Sequence, residues 1–150
     1  MIASYTTFGI PTPLMHEGDD IAAILVSSLR ETPARHFFDG DVLVLAETAV
    51  ATAEGRIIRL DALVPTDEAR ALARMYSMDP NLVQCILEES DEIDGGITGF
   101  LLCMKHGTLL PNAGVDASNA PPGCVTPLPV DPDASAFRVK RRIEESTGAH

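Results

Sequence analysis

The 150-residue sequence predicts an α+β domain. Three observations carry this expectation. Apolar residues recur at helical spacing in several segments, two short apolar runs have strand length, and no regular strand–helix alternation builds a doubly wound sheet. A 45% hydrophobic and 22% charged composition suits a packed core rather than a disordered chain, and the length suits a single domain over residues 1–150.

Taken in order, residues 7–14 carry Gly9, Pro11 and Pro13 and read as a loop. Glu17-Gly18-Asp19-Asp20 then leads into Ile21, Ile24, Leu25 and Leu29 at helical spacing, with an aspartate as N-cap and an end near residues 31–33. Phe38-Asp39-Gly40-Asp41 signals a turn, and residues 42–46 (Val-Leu-Val-Leu-Ala) read as a short buried strand. Residues 47–56 carry no decisive pattern. Pro65-Thr66-Asp67-Glu68 opens a helix running to about Tyr76, with acidic residues in its first turn. Asp79-Pro80 opens another, with Leu82, Val83, Ile86 and Leu87 on one face. Residues 100–104 form a second apolar strand, turned by His106-Gly107, and Asp131-Pro132-Asp133 caps a last helix that stops at Gly148.

A formal net charge of −11 disfavours nucleic acid as a partner, because phosphate backbones would be repelled over most of the surface. It leaves room for a small phosphorylated ligand held by local amides, a lysine or a cation. The three cysteines (Cys85, Cys103, Cys124) form no C-x-x-C pair, so neither a zinc knuckle nor a disulfide framework is expected. Cys85 and Cys103 sit among apolar residues and are expected to be buried thiols. Residues 1–5 lack a basic segment followed by a long apolar run, and no stretch reaches membrane-spanning length; the expectation is a cytoplasmic protein with no membrane partner.

The segment Pro111-Asn112-Ala113-Gly114-Val115-Asp116-Ala117-Ser118-Asn119 is the most informative. Small residues and Gly114 let the backbone approach a ligand closely, as phosphate-cradling loops require. Asp116 offers a hard oxygen to Mg²⁺ or Mn²⁺, while Ser118 and Asn119 can reach phosphate oxygens or metal-bound waters. The same residues also suit an ordinary polar turn in which Asp116 and Asn119 bond the local backbone. Glu54-Gly55-Arg56 could hold an anion or could place Arg56 in a surface ion pair. Residues 88–92 (Glu-Glu-Ser-Asp-Glu) suit a solvated helix end better than a metal site. His106 reads as a turn residue, His16 and His36 have no partner identifiable from spacing, and Arg138, Lys140, Arg141 and Arg142 read as a solvated helix face. No Walker loop, dinucleotide glycine motif, serine elbow or zinc-protease motif occurs.

In order along the chain, the Leu14–Asp20 stretch with its following helix, Glu54-Gly55-Arg56, the helix from Val83-Gln84 to Glu89, the Asn112–Asn119 loop and the Asp131–Arg142 segment resemble the N-terminal half of coenzyme F-420 gamma-glutamyl ligase. The resemblance implies an amide-forming ligase using GTP and Mn²⁺ or Mg²⁺. Such enzymes activate the carboxylate of a deazaflavin phospholactate as an acyl phosphate, which the amine of L-glutamate attacks. It further implies Asp116 as metal ligand, Asn119 as nucleotide contact, and Pro11, Thr12, Pro13, Leu14 and Thr48 lining the nucleotide pocket. Thr52 stands where the family typically carries a nucleotide-contacting lysine, so a point charge for the phosphates is missing there. The family continues past the last helix into a second half with an Asp-Thr metal motif. The resemblance therefore implies a homodimer or a complementary C-terminal-half chain, and an isolated chain that oligomerises without ligase activity. A non-catalytic binding or regulatory module, and an offshoot ligating another amino acid or carboxylate, are the alternatives.

Overall fold

A computed structural model describes residues 6–150; residues 1–5, on which the absence of a leader segment was read, lie outside the described residues. The described residues are α+β, with five α-helices and two small antiparallel sheets. The chain divides into two compact units: residues 1–55 with 129–150, and residues 56–128.

The first unit is helical. Helix α1 (Ile21–Leu29) starts where the Asp20 side chain accepts from the Ala23 N–H, the N-cap that the sequence predicts. Helix α2 (Glu47–Ala53) occupies the segment without a decisive pattern. Helix α5 (Pro132–Thr147) is capped by Asp131 and stops at Gly148, whose φ of 78° is the left-handed conformation that a glycine adopts at no cost. Helix α5 packs on α1, and Ile21, Ala22, Leu25 and Ile143 form the buried centre.

Residues 42–46 are not a strand. Leu43 and Leu45 pack on this helical core, while Val42 and Val44 stay 87% and 86% exposed. The alternation is therefore real, but it presses an extended segment onto helices. All strands among the described residues fall in the other unit, so this segment has no ladder to join.

The second unit holds β1 (Ile58–Arg59), α3 (Asp67–Tyr76), α4 (Pro80–Glu89), β2 (Glu92–Ile97), β3 (Phe100–Lys105), β4 (Thr108–Pro111) and β5 (Cys124–Val125). Thr66 caps α3, and Asp79 caps α4 by accepting from the Asn81 and Leu82 N–H groups, with Pro80 preset for the first turn. One sheet has the order β2-β3-β4, with a bulge between Ile93 and Gly95; the other pairs β1 with β5. Strand β3 alternates strictly, sending Leu101, Cys103 and Lys105 inward. Leu101 and Cys103 join Val83, Cys85, Ile86, Ala113 and Val125 in a fully buried core. Burial pushes the Cys85 thiol up to about 12 and raises Cys103 in the same direction. Both are therefore inert thiols, as their apolar neighbours in the sequence imply.

Candidate functional site

The 111–119 loop is built by three successive left-handed residues, Asn112 (φ 48°), Ala113 (φ 53°) and Gly114 (φ 76°). Each position has its own physical reason. Asn112 tolerates this conformation, and its side-chain oxygen accepts from the Leu101 N–H at 2.9 Å, which ties the loop to β3. Ala113 carries the penalty of a Cβ in left-handed backbone, about 1–2 kcal/mol, and is completely buried. At Gly114 a Cβ would lie 2.5 Å from Leu128 Cγ, so only glycine fits.

The strained turn delivers Asp116 to a fixed place. Its backbone exchanges two hydrogen bonds with Thr126, at 3.0 and 2.8 Å, in an isolated antiparallel bridge. The Asp116 carboxylate accepts from the Ser118 N–H at 3.0 Å and from the Ser118 hydroxyl at 2.5 Å. These bonds, the hydroxyl first, hold its carboxyl below the usual carboxylate range and keep it anionic. The polar-turn geometry is thus present at Asp116. An ionised carboxylate offers about four acceptor positions, so the two bonds from Ser118 leave others open.

Thr126 sits opposite Asp116. It is 1% exposed, and its Oγ1 is the one buried side-chain polar atom among the described residues without a hydrogen-bond partner. Such an orphan typically costs about 1–3 kcal/mol. Nothing in the sequence singles it out.

The same unit holds a second polar cluster that sequence reasoning only half anticipated. Glu89 Oε2 receives Arg56 Nη2 at 2.8 Å and Lys105 Nζ at 2.6 Å. Arg56 Nε also donates to the Leu128 carbonyl at 3.1 Å. Arg56 is therefore engaged in a partly buried ion pair rather than a surface one. Glu89 belongs to a charge triad inside the fold, not to a solvated helix end. Lys105 was legible in principle: it continues the inward register of Leu101 and Cys103, and a lysine at a core-facing strand position needs a partner. Among the described residues no group of three or more His, Cys, Asp or Glu side chains converges as a metal site.

The remaining expected nucleotide-side residues belong to the first unit. Pro11, Thr12, Pro13 and Leu14 lie in irregular backbone, with Leu14 exposed; Thr48 and Thr52 lie one turn apart on α2, with Thr48 buried. Asn119, like Asp116, belongs to the second unit. Around α2, the Gly18 N–H donates to the Ala53 carbonyl, and a Cβ at Gly55 would lie 2.9 Å from Glu17 Oε1. Glu54 accepts from Ser135 and Arg138 on α5, so the glutamate of Glu-Gly-Arg joins two helices. Lys140, Arg141 and Arg142 pair on the surface with Glu144, Glu145 and Asp20. His106 is a turn residue with φ 50°, its N–H donating to Asp91. The first unit also contains an apolar cleft of about 610 Å³ lined by Phe37, Phe38, Val42, Leu43, Phe137 and Val139 among others. None of the expected site residues lines it. No helix among the described residues is long and apolar enough to cross a membrane.

Comparison with known proteins bears on what this loop belongs to. The model of the F420-0:gamma-glutamyl ligase family matches residues 9–150. The chain is 44% identical over 137 residues to the coenzyme F420:L-glutamate ligase of Methanothermobacter thermautotrophicus, covering 91% of this chain and 54% of that protein. For the enzymes of the same name from Archaeoglobus fulgidus and Methanopyrus kandleri, identity is 42% and 40%, with 91% and 92% of this chain covered and 52% and 54% of the relatives. The chain spans about half the length of the curated relatives it matches. A family model matched over nearly the whole sequence, with close relatives of a single name, establishes that the chain belongs to the F420-0:gamma-glutamyl ligase family.

Proposed function

We propose that the chain supplies the nucleotide- and cation-holding portion of a GTP-dependent ligase that adds L-glutamate to the deazaflavin precursor of coenzyme F420. The observation that carries this reading is the strained 112–114 turn, which spends left-handed backbone to present an anionic Asp116. Strain of this kind persists where the surrounding structure over-determines it, and it clusters at functional sites. Family membership and the relatives' names support L-glutamate and an F420 precursor as the substrates proposed.

The reaction divides into two balanced steps. A carboxylate oxygen of the acceptor takes the γ-phosphoryl group of GTP, and GDP leaves. The glutamate amine then attacks the acyl carbon, losing a proton, and phosphate leaves with the C–O bond pair. A divalent cation, Mn²⁺ or Mg²⁺, would neutralise the phosphate oxygens as charge moves onto the leaving group. The donor set fits such a hard ion: an anionic carboxylate and, opposite it, an unpartnered hydroxyl, both oxygen. In this reading Asp116 holds the cation, with Ser118 fixing the carboxylate by its two hydrogen bonds. Asn119 is assigned as a nucleotide contact by family resemblance, and residues 11–14, Thr48 and Thr52 of the other unit are assigned as nucleotide-side residues on the same ground.

A second reading, a binding module without catalysis, is favoured by Thr52, which cannot supply the positive charge a lysine would. The experiment that tests the main reading is calorimetric titration of GDP with and without Mn²⁺ on wild type and Asp116→Asn. Cation-dependent nucleotide binding in wild type, lost in the variant, is expected. Binding that ignores both the cation and the substitution would sink it. Mass spectrometry of a reaction with GTP, L-glutamate and the deazaflavin phospholactate then separates ligase from binding module.

A further inference from the structure

We propose that Thr126 is a positioning residue of the Asp116 site, its hydroxyl accepting a hydrogen bond from a water on the cation and donating its own proton to the Asp116 carboxylate. The proposal rests on the reading of Asp116 as a cation ligand and adds to it a residue that no motif marks.

Asp116 and Thr126 face each other across a bridge in which each N–H meets the other's carbonyl. Directly opposed residues of an antiparallel pair project their side chains from the same face, with Cβ atoms about 4.5–5.5 Å apart. A staggered χ1 step of Thr126 re-aims Oγ1 on that face without disturbing the backbone bridge. In the present arrangement Ser118 occupies one position on each Asp116 oxygen, and Thr126 Oγ1 bonds nothing.

The burial gives the observation its weight. A hydroxyl that is 1% exposed and unpaired destabilises the fold relative to a methyl group of the same shape. Valine has that shape and would fill the same buried space without an unpaired hydroxyl. A threonine there has no packing reason. A hydroxyl with both donor and acceptor capacity, beside an anionic carboxylate, does have a ligand-binding one. A cation-bound water is a polarised donor, and a carboxylate holding a cation needs a fixed orientation; Thr126 can satisfy both at once. Placing the hydroxyl one water away from the ion also agrees with Thr126 being buried where Asp116 is half-buried.

The test uses the full chain and Mn²⁺ alone, followed by water-proton relaxation, which reads weak binding. Outer-shell hydrogen-bond partners typically contribute 10–100-fold to metal affinity, so Thr126→Val is expected to weaken Mn²⁺ binding by roughly tenfold. Its melting temperature without cation should equal or exceed that of wild type. Thr126→Ser, which keeps the hydroxyl, should bind as wild type does. Wild-type binding by Thr126→Val, with Asp116→Asn still impaired, overturns this proposal and leaves the Asp116 reading standing. Binding unaffected by Asp116→Asn removes both. Should Thr126→Val fail to fold, Thr126→Ser against Thr126→Ala carries the same contrast: serine binding no better than alanine overturns it, and serine matching wild type supports it.

Discussion

The two units reach stability by different routes. Residues 56–128 bury a continuous core in which Val83, Cys85, Ile86, Leu101, Cys103, Ala113 and Val125 are wholly inaccessible, and they bury a charge triad beside it. Among the described residues of 1–55 and 129–150 the main buried cluster is smaller, formed by Ile21, Ala22, Leu25 and Ile143, with Leu29 and Ala51 also buried, and Phe38, Val42, Val44, Val130 and Phe137 stay mostly exposed. Its charges are paired on the surface. A strand-and-helix core with long-range pairing holds its shape around a strained loop. The helical unit carries, among its described residues, a single non-glycine position in left-handed backbone, Arg35. The left-handed turn before Asp116 accordingly lies in the first of these.

The sharpest way to break this comparison is through the two glutamates. Glu89→Ala leaves Lys105, 7% exposed, without its partner. Breaking a buried pair by removing one partner costs about 3–5 kcal/mol. Glu54→Ala removes the partner of a largely exposed Arg138, and surface pairs contribute about 0–1 kcal/mol. Urea denaturation of both variants should show the difference plainly; equal losses would mean that the two units are not distinguished by burial.

Apolar truncation gives the next largest contrast. Leu101→Ala should cost about 2–5 kcal/mol, the range for core leucines, while Val44→Ala should stay within about 0.5 kcal/mol as an exposed substitution. Hydrogen exchange would sharpen the result: amides of β3 should be protected more than those of α1.

How much of this was legible follows from how local each signal is. The caps Asp20, Asp79 and Asp131 and the stop at Gly148 depend on neighbouring residues alone, and all occur where the sequence places them. Strands β1 and β5 are two residues each and are defined by partners more than sixty positions apart, so no window along the chain contains their signal. Residues 42–46 failed for the converse reason: the alternation was present, but the neighbour it packs against is helical. At the candidate site, Asn112, Gly114 and Asp116 were readable as a close-approach loop with an acid. Thr126 was not, because its meaning arises only from the bridge to Asp116.

Alkaline pH distinguishes the units by a smaller, graded effect. Burial raises the Cys85 thiol from 9.0 to about 12. Between those values the unfolded chain has lost the proton that the folded chain keeps, so stability present below pH 9 falls as pH rises toward 12. The slope for one proton is at most about 1.4 kcal/mol per pH unit. Cys85→Ala, destabilised overall, should show a flatter decline over that window in pH-dependent denaturation. An unchanged slope would assign the loss to other groups.

The last contrast concerns ligands rather than stability. The proposed nucleotide-side residues Thr48 and Thr52 are carried by the helical unit, and the proposed cation-side Asp116 by the strand-containing one. Thr52 stands in the last turn of α2, where a longer side chain meets no wholly closed core, since the residue is half-buried. If the pocket is arranged as proposed, Thr52→Lys adds one charge-assisted contact to a phosphate oxygen. Such hydrogen bonds are worth about 1.5–3 kcal/mol, so GDP binding should tighten roughly tenfold or more in calorimetry. The gain should shrink as salt rises, because the added lysine acts as a point charge reached through solvent. The affinity for Mn²⁺ alone should not change, because that term is assigned to the other unit. A tightening of GDP without a change in Mn²⁺ would separate the two contributions as proposed. No tightening would remove residue 52 from the nucleotide pocket, and with it the physical reason for reading its threonine as a lost charge.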